Sequence, residues 1–192
     1  MLILASQSPR RAELLRNAGV SFEVRPAEID ERVHDGEDAF EYVKRLAREK
    51  ALAVLEMMGS DALEALVLGA DTTVVVDGES LGKPADASEA RRMLERLSGR
   101  KHQVATGVCL AHRDASGAVV AEVEFEVTEV EFVAMSAAEI AAYVSTGDPM
   151  DKAGAYGIQG RASRWSPRIN GCYFNVVGLP VARVCAMLKR AR

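Results

Sequence analysis

Apolar and polar positions along the chain switch between two periods, and the switches mark out alternating strands and helices. Leu2 to Leu4 are continuously apolar and predict a buried strand. A helix follows, with Ser8 as N-cap, Pro9 at the first helical position, Leu14, Leu15 and Ala18 on the buried face, and Gly19 at the close. Residues 21–25 alternate and predict a strand running into an acidic loop, residues 26–31. Phe40, Val43, Ala47, Ala51, Val54 and Met58 follow helical spacing and predict a long helix from Glu37 to Met58, ended by Gly59. Residues 65–76 are the most apolar stretch and predict a central strand with a break at Gly69. Asp77-Gly78 predicts a hairpin turn.

The second half continues in the same manner. Asp86, with Glu89 three residues on, caps a helix to Leu97, and Lys101 to His112 predict a strand. Between Val119 and Val133 the apolar residues occupy odd positions (Val123, Phe125, Val127) and then even ones (Val130, Phe132). Such a change of phase flips the buried face and predicts a bulge or break near Thr128. Ser136 and Glu139 form a capping box opening a helix to Ser145. Residues 148–160 read as a loop, Tyr173 to Val177 as a strand, and the chain beyond Pro180 as a last helix. The whole predicts α/β or α+β architecture with a mixed, twisted sheet flanked by helices. The length of 192 residues fits a single domain, or two small lobes around one cleft.

Composition narrows the partners. With 48% hydrophobic residues and a net charge of −4, the chain can build a core. It is a poor candidate for broad nucleic-acid or anionic-membrane binding, so any phosphate recognition must come from a local cluster. Cys109, Cys172 and Cys185 are odd in number and widely spaced, which predicts neither a disulfide framework nor a zinc site. No run approaches the ~20 apolar residues of a membrane helix, and a reducing cytosol is the expected setting.

Several positions carry chemistry that packing does not demand. Arg10 and Arg11 crowd the first turn of a helix, which prefers acidic side chains. An anion bound there would relieve the repulsion, because helix N-termini and guanidinium forks both suit phosphate; alone, the pair reads first as solvated surface arginines. Asp71 ends an apolar run, and a lone buried carboxylate is costly, so it is either paired, metal-bound or capping a loop. Lys83 sits between Gly82 and Pro84 in a stiff turn that lacks the spacing of a phosphate-binding P-loop. Residues 151–160 hold three glycines at spacing three together with Asp151, Lys152, Tyr156 and Gln159, a composition that suits close approach to a ligand. The three histidines lack ligand-like spacing, and no serine has a nucleophile-elbow setting. Together, Arg10, Arg11, Lys50, Lys83 and Lys152 could neutralise phosphates, while Glu31, Asp71 and Asp151 could hold a hard divalent cation through oxygen.

Residues 5–11 (ASQSPRR), 48–51 (REKA), 69–72 (GADT), 82–84 (GKP), 102–107 (HQVATG), 151–160 (DKAGAYGIQG) and 175–180 (NVVGLP) together resemble the Maf family. The matches run in order along nearly the whole chain, with residues 61–64 and 161–168 matching poorly and expected as surface loops. The resemblance implies a cytoplasmic nucleoside triphosphate pyrophosphatase that uses a divalent metal, Mg²⁺ or Mn²⁺. It also implies an elongated two-lobed fold with a central cleft, related to inosine triphosphate pyrophosphatases. It makes Asp71 the catalytic acid–base residue and places Glu31 in the cleft, and these two carboxylates are the expected metal ligands. Ser6, Arg10, Arg11, Lys50, Thr72, Lys83 and Gln159 become the substrate-binding set. The AYGIQG segment is similar to the branch acting on dTTP and UTP, whose specificity positions fall on Arg11, Thr72 and Gln159. A nucleotide-binding regulator of septum formation, acting through a partner, is the alternative. An RNA-binding module is a third reading that the acidic charge disfavours. A homodimer is compatible with the sequence.

Overall fold

The computed structural model describes residues 1–59 and 65–191; the loop expected at 61–64 lies outside the described residues. Seven strands form one mixed sheet: β1 (Leu2–Leu4), β2 (Glu23–Val24), β3 (Leu66–Val76), β4 (Glu79–Leu81), β5 (Lys101–Arg113), β6 (Val119–Glu131) and β7 (Arg168–Asn170). The order is β2-β1-β3-β5-β6-β7, with β4 also on β3. β2, β1 and β3 run parallel, and all the other pairings are antiparallel. Among the described residues, six α-helices flank the sheet: α1 (Pro9–Asn17), α2 (Ala39–Met57), α3 (Ala87–Leu97), α4 (Ala137–Val144), α5 (Tyr173–Val177) and α6 (Val181–Arg190). The mixed α/β sheet flanked by helices is the architecture the pattern predicts.

Both sheet faces are covered, by two separate cores. Leu2, Leu4, Leu68, Val74, Val104 and Val130 pack on one side with α1, α3 and α4. Ile3, Ala5, Val67 and Cys109 pack on the other against Ala47, Ala51 and Val54 of α2. No break occurs at Gly69; β3 is continuous through it. The glycine serves close approach instead. A Cβ at Gly69 would lie 2.1 Å from the Ala47 carbonyl oxygen, and one at Gly107 would lie 2.2 Å from that of Val43. These two bare positions let the backbone of α2 rest directly on the sheet.

The expected bulge near Thr128 is also absent, since the β5–β6 register is unbroken from Lys101↔Glu131 to Arg113↔Val119. The phase change has another cause. Cover moves from one face of β6 to the other along its length. Val123 is partly buried on the α2 side, whereas Thr128 and Val130 are buried on the opposite side. Residues 173–177 form a helix rather than a strand, with Tyr173 and Phe174 exposed and Asn175 and Val177 buried. A five-residue apolar run does not distinguish the two by period alone. Residues 161–168 are only partly a surface loop: Ala162 and Trp165 are buried, and Trp165 packs edge-on against Tyr143 with ring centroids 5.3 Å apart.

One topological detail locates the site. β5 lines one edge of β3, and β1 and β4 share the other: β1 pairs with Leu66–Leu68 and β4 with Val74–Val76. Among the described residues, 69–73 therefore have no strand partner on that second edge. The α1 N-terminus, leaving β1, opens onto this gap.

Candidate active site

A cavity of about 940 Å³ lies at the gap, and all nine of Ser6, Arg10, Arg11, Glu31, Lys50, Asp71, Thr72, Lys83 and Gln159 line it. Residues up to 153 positions apart in sequence thus face one space. Each wall has its own origin. β3 supplies Asp71 and Thr72, α2 supplies Lys50, and the start of α1 supplies Arg10 and Arg11. Ser8 caps α1 by accepting from the Arg11 N–H, and no acidic residue occupies that first turn.

Asp71 is buried, and its Oδ1 accepts a hydrogen bond from Lys50 Nζ at 2.7 Å. The same ammonium lies 2.7 Å from Glu31 Oε1. Lys50 therefore bridges the two carboxylates and is not a free phosphate ligand. Burial pushes the Asp71 carboxyl above its ordinary range, against the pull of Lys50 and Arg11. For Glu31, half exposed, burial acts in the same sense, but the Lys50 hydrogen bond and charge win and hold it below the usual range. Two carboxylates on one cation are thereby driven in opposite directions, the pattern that separates an acid–base group from a permanently ionised one. Tyr42, which the sequence did not single out, fixes the Glu31 segment: its hydroxyl donates to the Glu31 carbonyl at 2.9 Å. Burial, with the charges of Asp71 and Glu31, pushes that phenol up to about 12.

Arg11 is buried and spends its guanidinium on neutral acceptors. Nε donates to the Gly178 carbonyl at 2.9 Å, Nη1 to Ser6 Oγ at 3.0 Å and Nη2 to Thr72 Oγ1 at 3.0 Å. Among the described residues no carboxylate lies within salt-bridge distance of the guanidinium, which suits an incoming anion. Arg10 Nη1 donates to Asp151 Oδ2 at 2.8 Å. Lys152 Nζ bonds Asp151 Oδ1 at 2.6 Å and Asp148 Oδ1 at 3.1 Å. Asp151 and Lys152 thus pair with each other and with their neighbours Arg10 and Asp148. Lys83 and Gln159 are exposed at the rim, and Lys83 has no carboxylate within salt-bridge distance among the described residues.

The glycine segment is not a loose surface loop. Short 3₁₀ turns run through Asp148–Asp151 and Ala153–Ala155, and Ala155, Tyr156 and Ile158 are buried. Gly154 takes φ +66°, and a Cβ there would lie 2.7 Å from Val74 Cγ2; its N–H donates to the Gly82 carbonyl at 3.0 Å. That bond ties the segment to the Lys83 turn. Tyr156 hydroxyl and His102 Nε2 are 2.8 Å apart, and burial lowers the His102 imidazole to about 4, so it stays neutral. A third polar cluster, also missed from sequence, runs beneath Thr72 through Thr106 to Asn175, both fully buried.

Among the described residues, no three His, Cys, Asp or Glu side chains gather where they could enclose a metal ion. Glu31 and Asp71 nevertheless converge on one cation, Lys50. Two carboxylates suit Mg²⁺, which takes one or two of them and fills its shell with water and phosphate oxygen rather than a full protein cage. The donor set fits a hard divalent ion whose shell a phosphate ligand would complete.

The fold and the cleft define a mixed α/β protein with a carboxylate pair set among cations at an open strand edge. The chain belongs to the Maf family: the Maf-like protein model matches residues 1–191. It is 54% identical over 190 residues to the dTTP/UTP pyrophosphatase of Koribacter versatilis (strain Ellin345), covering 99% of this chain and 94% of that one. It is 53% identical over 190 residues to the dTTP/UTP pyrophosphatase of Anaeromyxobacter sp. (strain Fw109-5), covering 99% and 89%. Likeness to solved structures is slight. A HAM1 protein from Coxiella burnetii aligns with TM-score 0.43 and 19% identity, covering 68% of this chain and 72% of that one. Among the described residues, no helix is long and apolar enough to cross a membrane.

Proposed function

We propose that this chain hydrolyses dTTP and UTP to the nucleoside monophosphate and pyrophosphate, with a divalent cation and with Asp71 as general base. The observation that carries the proposal is the position of Asp71: a buried carboxyl with a raised proton affinity, on an unpaired strand edge, beside Arg11 and Lys50. The names of relatives sharing half of its residues support the substrate class.

The residues divide the work. Arg10, Arg11 and Lys83 offset the triphosphate charge and orient it, with Ser6 bracing Arg11. Asp71 accepts a proton from water as the water oxygen bonds to phosphorus and the bridging P–O bond breaks, releasing pyrophosphate. Lys50 keeps Asp71 and Glu31 close together without leaving two bare charges. A divalent ion held by Glu31 and Asp71 would supply further neutralisation of phosphate oxygens. Gln159, at the rim, offers an amide donor and acceptor that match the carbonyl and N–H edge of uracil or thymine.

The test is pyrophosphate release by the purified protein on a panel of nucleoside triphosphates, with Mg²⁺, with Mn²⁺ and with excess chelator. Turnover of dTTP and UTP above CTP and GTP, abolished by chelator and restored by metal, is expected. Full turnover in chelator with no tightly held metal would remove the cation from the account.

A further inference from the structure

We infer that Thr106 is a positioning residue: its buried hydroxyl, held between Thr72 and the Asn175 carbonyl, turns Thr72 into a hydrogen-bond acceptor toward the cleft. The site then favours a base with a ring N–H, uracil or thymine, over one with a bare ring nitrogen, cytosine. This rests on the cleft being a nucleotide site, as proposed above.

The polarity follows from counting donors along the cluster. A hydroxyl has one proton and two lone pairs. Thr106 Oγ1 lies 3.2 Å from the Asn175 carbonyl oxygen, which can only accept, so the Thr106 proton goes there. With its proton on Asn175, Thr106 Oγ1 is left to accept across its 2.9 Å contact with Thr72 Oγ1, a hydroxyl pair whose geometry lets either atom donate. The Gly178 carbonyl, 3.4 Å from Thr72 Oγ1, also can only accept, and so pulls the Thr72 proton away from the cleft as well. One Thr72 lone pair accepts from Arg11 Nη2. What remains for a ligand is one lone pair and no proton.

The far end of the cluster is rigid. Asn175 is fully buried, and its Nδ2 donates to the Val104 carbonyl at 2.9 Å and to Thr128 Oγ1 at 3.0 Å. Its carbonyl also accepts from the Gly178 N–H at 3.0 Å, which caps α5. The acceptor that sets the Thr106 proton is thus built into a helix end and cannot swing.

Thr72 stands where apolar lining adjoins the Arg11 guanidinium, 3.0 Å from its Oγ1. Val104, Val176 and Val177 supply apolar lining to the cavity, and Glu31, Asp71, Lys50, Arg10 and Arg11 supply charged lining. A base belongs on the apolar wall and a triphosphate among the charges. At that wall an oxygen lone pair meets uracil N3–H favourably and cytosine N3, itself a lone pair, unfavourably. Unpaired buried polar groups are what make such discrimination large.

The experiment compares Thr106→Val, nearly isosteric but without the hydroxyl, with Thr106→Ser, which keeps it. Binding of non-hydrolysable α,β-imido UTP and CTP is measured by calorimetry, beside pyrophosphate release from UTP and CTP. The wild type is expected to prefer the UTP analogue. Thr106→Val should narrow the preference by about 10-fold, the scale of one lost oriented hydrogen bond, and Thr106→Ser should retain it. An unchanged ratio in folded Thr106→Val would overturn the inference and leave Thr106 a packing residue, as would a wild type without preference. Preferential binding without pyrophosphate release would sink the pyrophosphatase reading and leave this inference standing. If the valine variant does not fold, Thr106→Cys, a similar volume with weak hydrogen bonding, is read by the same ratio.

Discussion

Lys50 Nζ lies 2.7 Å from Asp71 Oδ1, and this buried contact joins helix α2 to the open edge of strand β3. It sets the charge state of the site. Burial raises the proton affinity of Asp71 and Lys50 opposes that rise. A group with a raised native pKa stabilises the fold below the ordinary 3.8 and loses that contribution as pH rises through the native value. As a base, Asp71 works in its ionised form. The acid limb of kcat/KM should therefore fall above the ordinary carboxylate value.

Lys50→Met should move that limb further up, by at least ~1 pH unit, because removing a contacting cation disfavours the carboxylate. The check is the pH dependence of kcat/KM for UTP in both proteins. A limb that stays put, or moves down, would mean that another group controls it.

Arg10→Ala and Lys83→Ala should weaken turnover of every nucleoside triphosphate alike, since both line the charged part of the cleft. Each should lower kcat/KM by about 10-fold or more, the scale of a charge-assisted phosphate contact. The UTP-to-CTP ratio should hold within each variant. A large change in that ratio would transfer these residues to base reading.

Gln159→Glu should lower kcat/KM for UTP and narrow its advantage over CTP, because a carboxylate cannot donate to a base carbonyl. Equal loss on all nucleotides would instead make Gln159 a brace of the glycine segment.

Gly69→Ala should destabilise the protein by at least ~3 kcal/mol, beyond ordinary overpacking, since the obstacle is backbone rather than a yielding side chain. The new methyl would meet the Ala47 carbonyl oxygen at 2.1 Å. Urea unfolding measures the change. A near-wild-type midpoint would contradict the direct seating of α2 on β3.

Much of this arrangement is legible in the sequence wherever a local rule has no competitor. The caps at Ser8, Asp86 and Ser136 are where the side-chain pattern puts them. The nine cleft residues, drawn from residue chemistry and from the family resemblance, share one cavity. The misreadings have a common physical source, which is that tertiary cover is invisible to a local period. Gly69 resembles a break because nothing in its neighbourhood announces that α2 presses on it. Thr128 resembles a bulge because the cover changes face along β6. Residues 173–177 resemble a strand because the pull on Asn175 comes from Val104 and Thr128, far away in the chain. The Arg11–Thr72–Thr106–Asn175 cluster was hidden for the same reason: it joins α1, β3, β5 and α5, and no single stretch contains it.

Asp71→Asn tests the central claim most directly. The amide is nearly isosteric, its oxygen still accepts from Lys50, and Glu31 keeps that ammonium paired, so the fold should survive while proton acceptance does not. Pyrophosphate release from UTP and dTTP, measured on variant protein whose circular dichroism and melting show it folded, should fall at least ~100-fold. Turnover within a few-fold of wild type in that folded variant would contradict the assignment of Asp71 as the catalytic base.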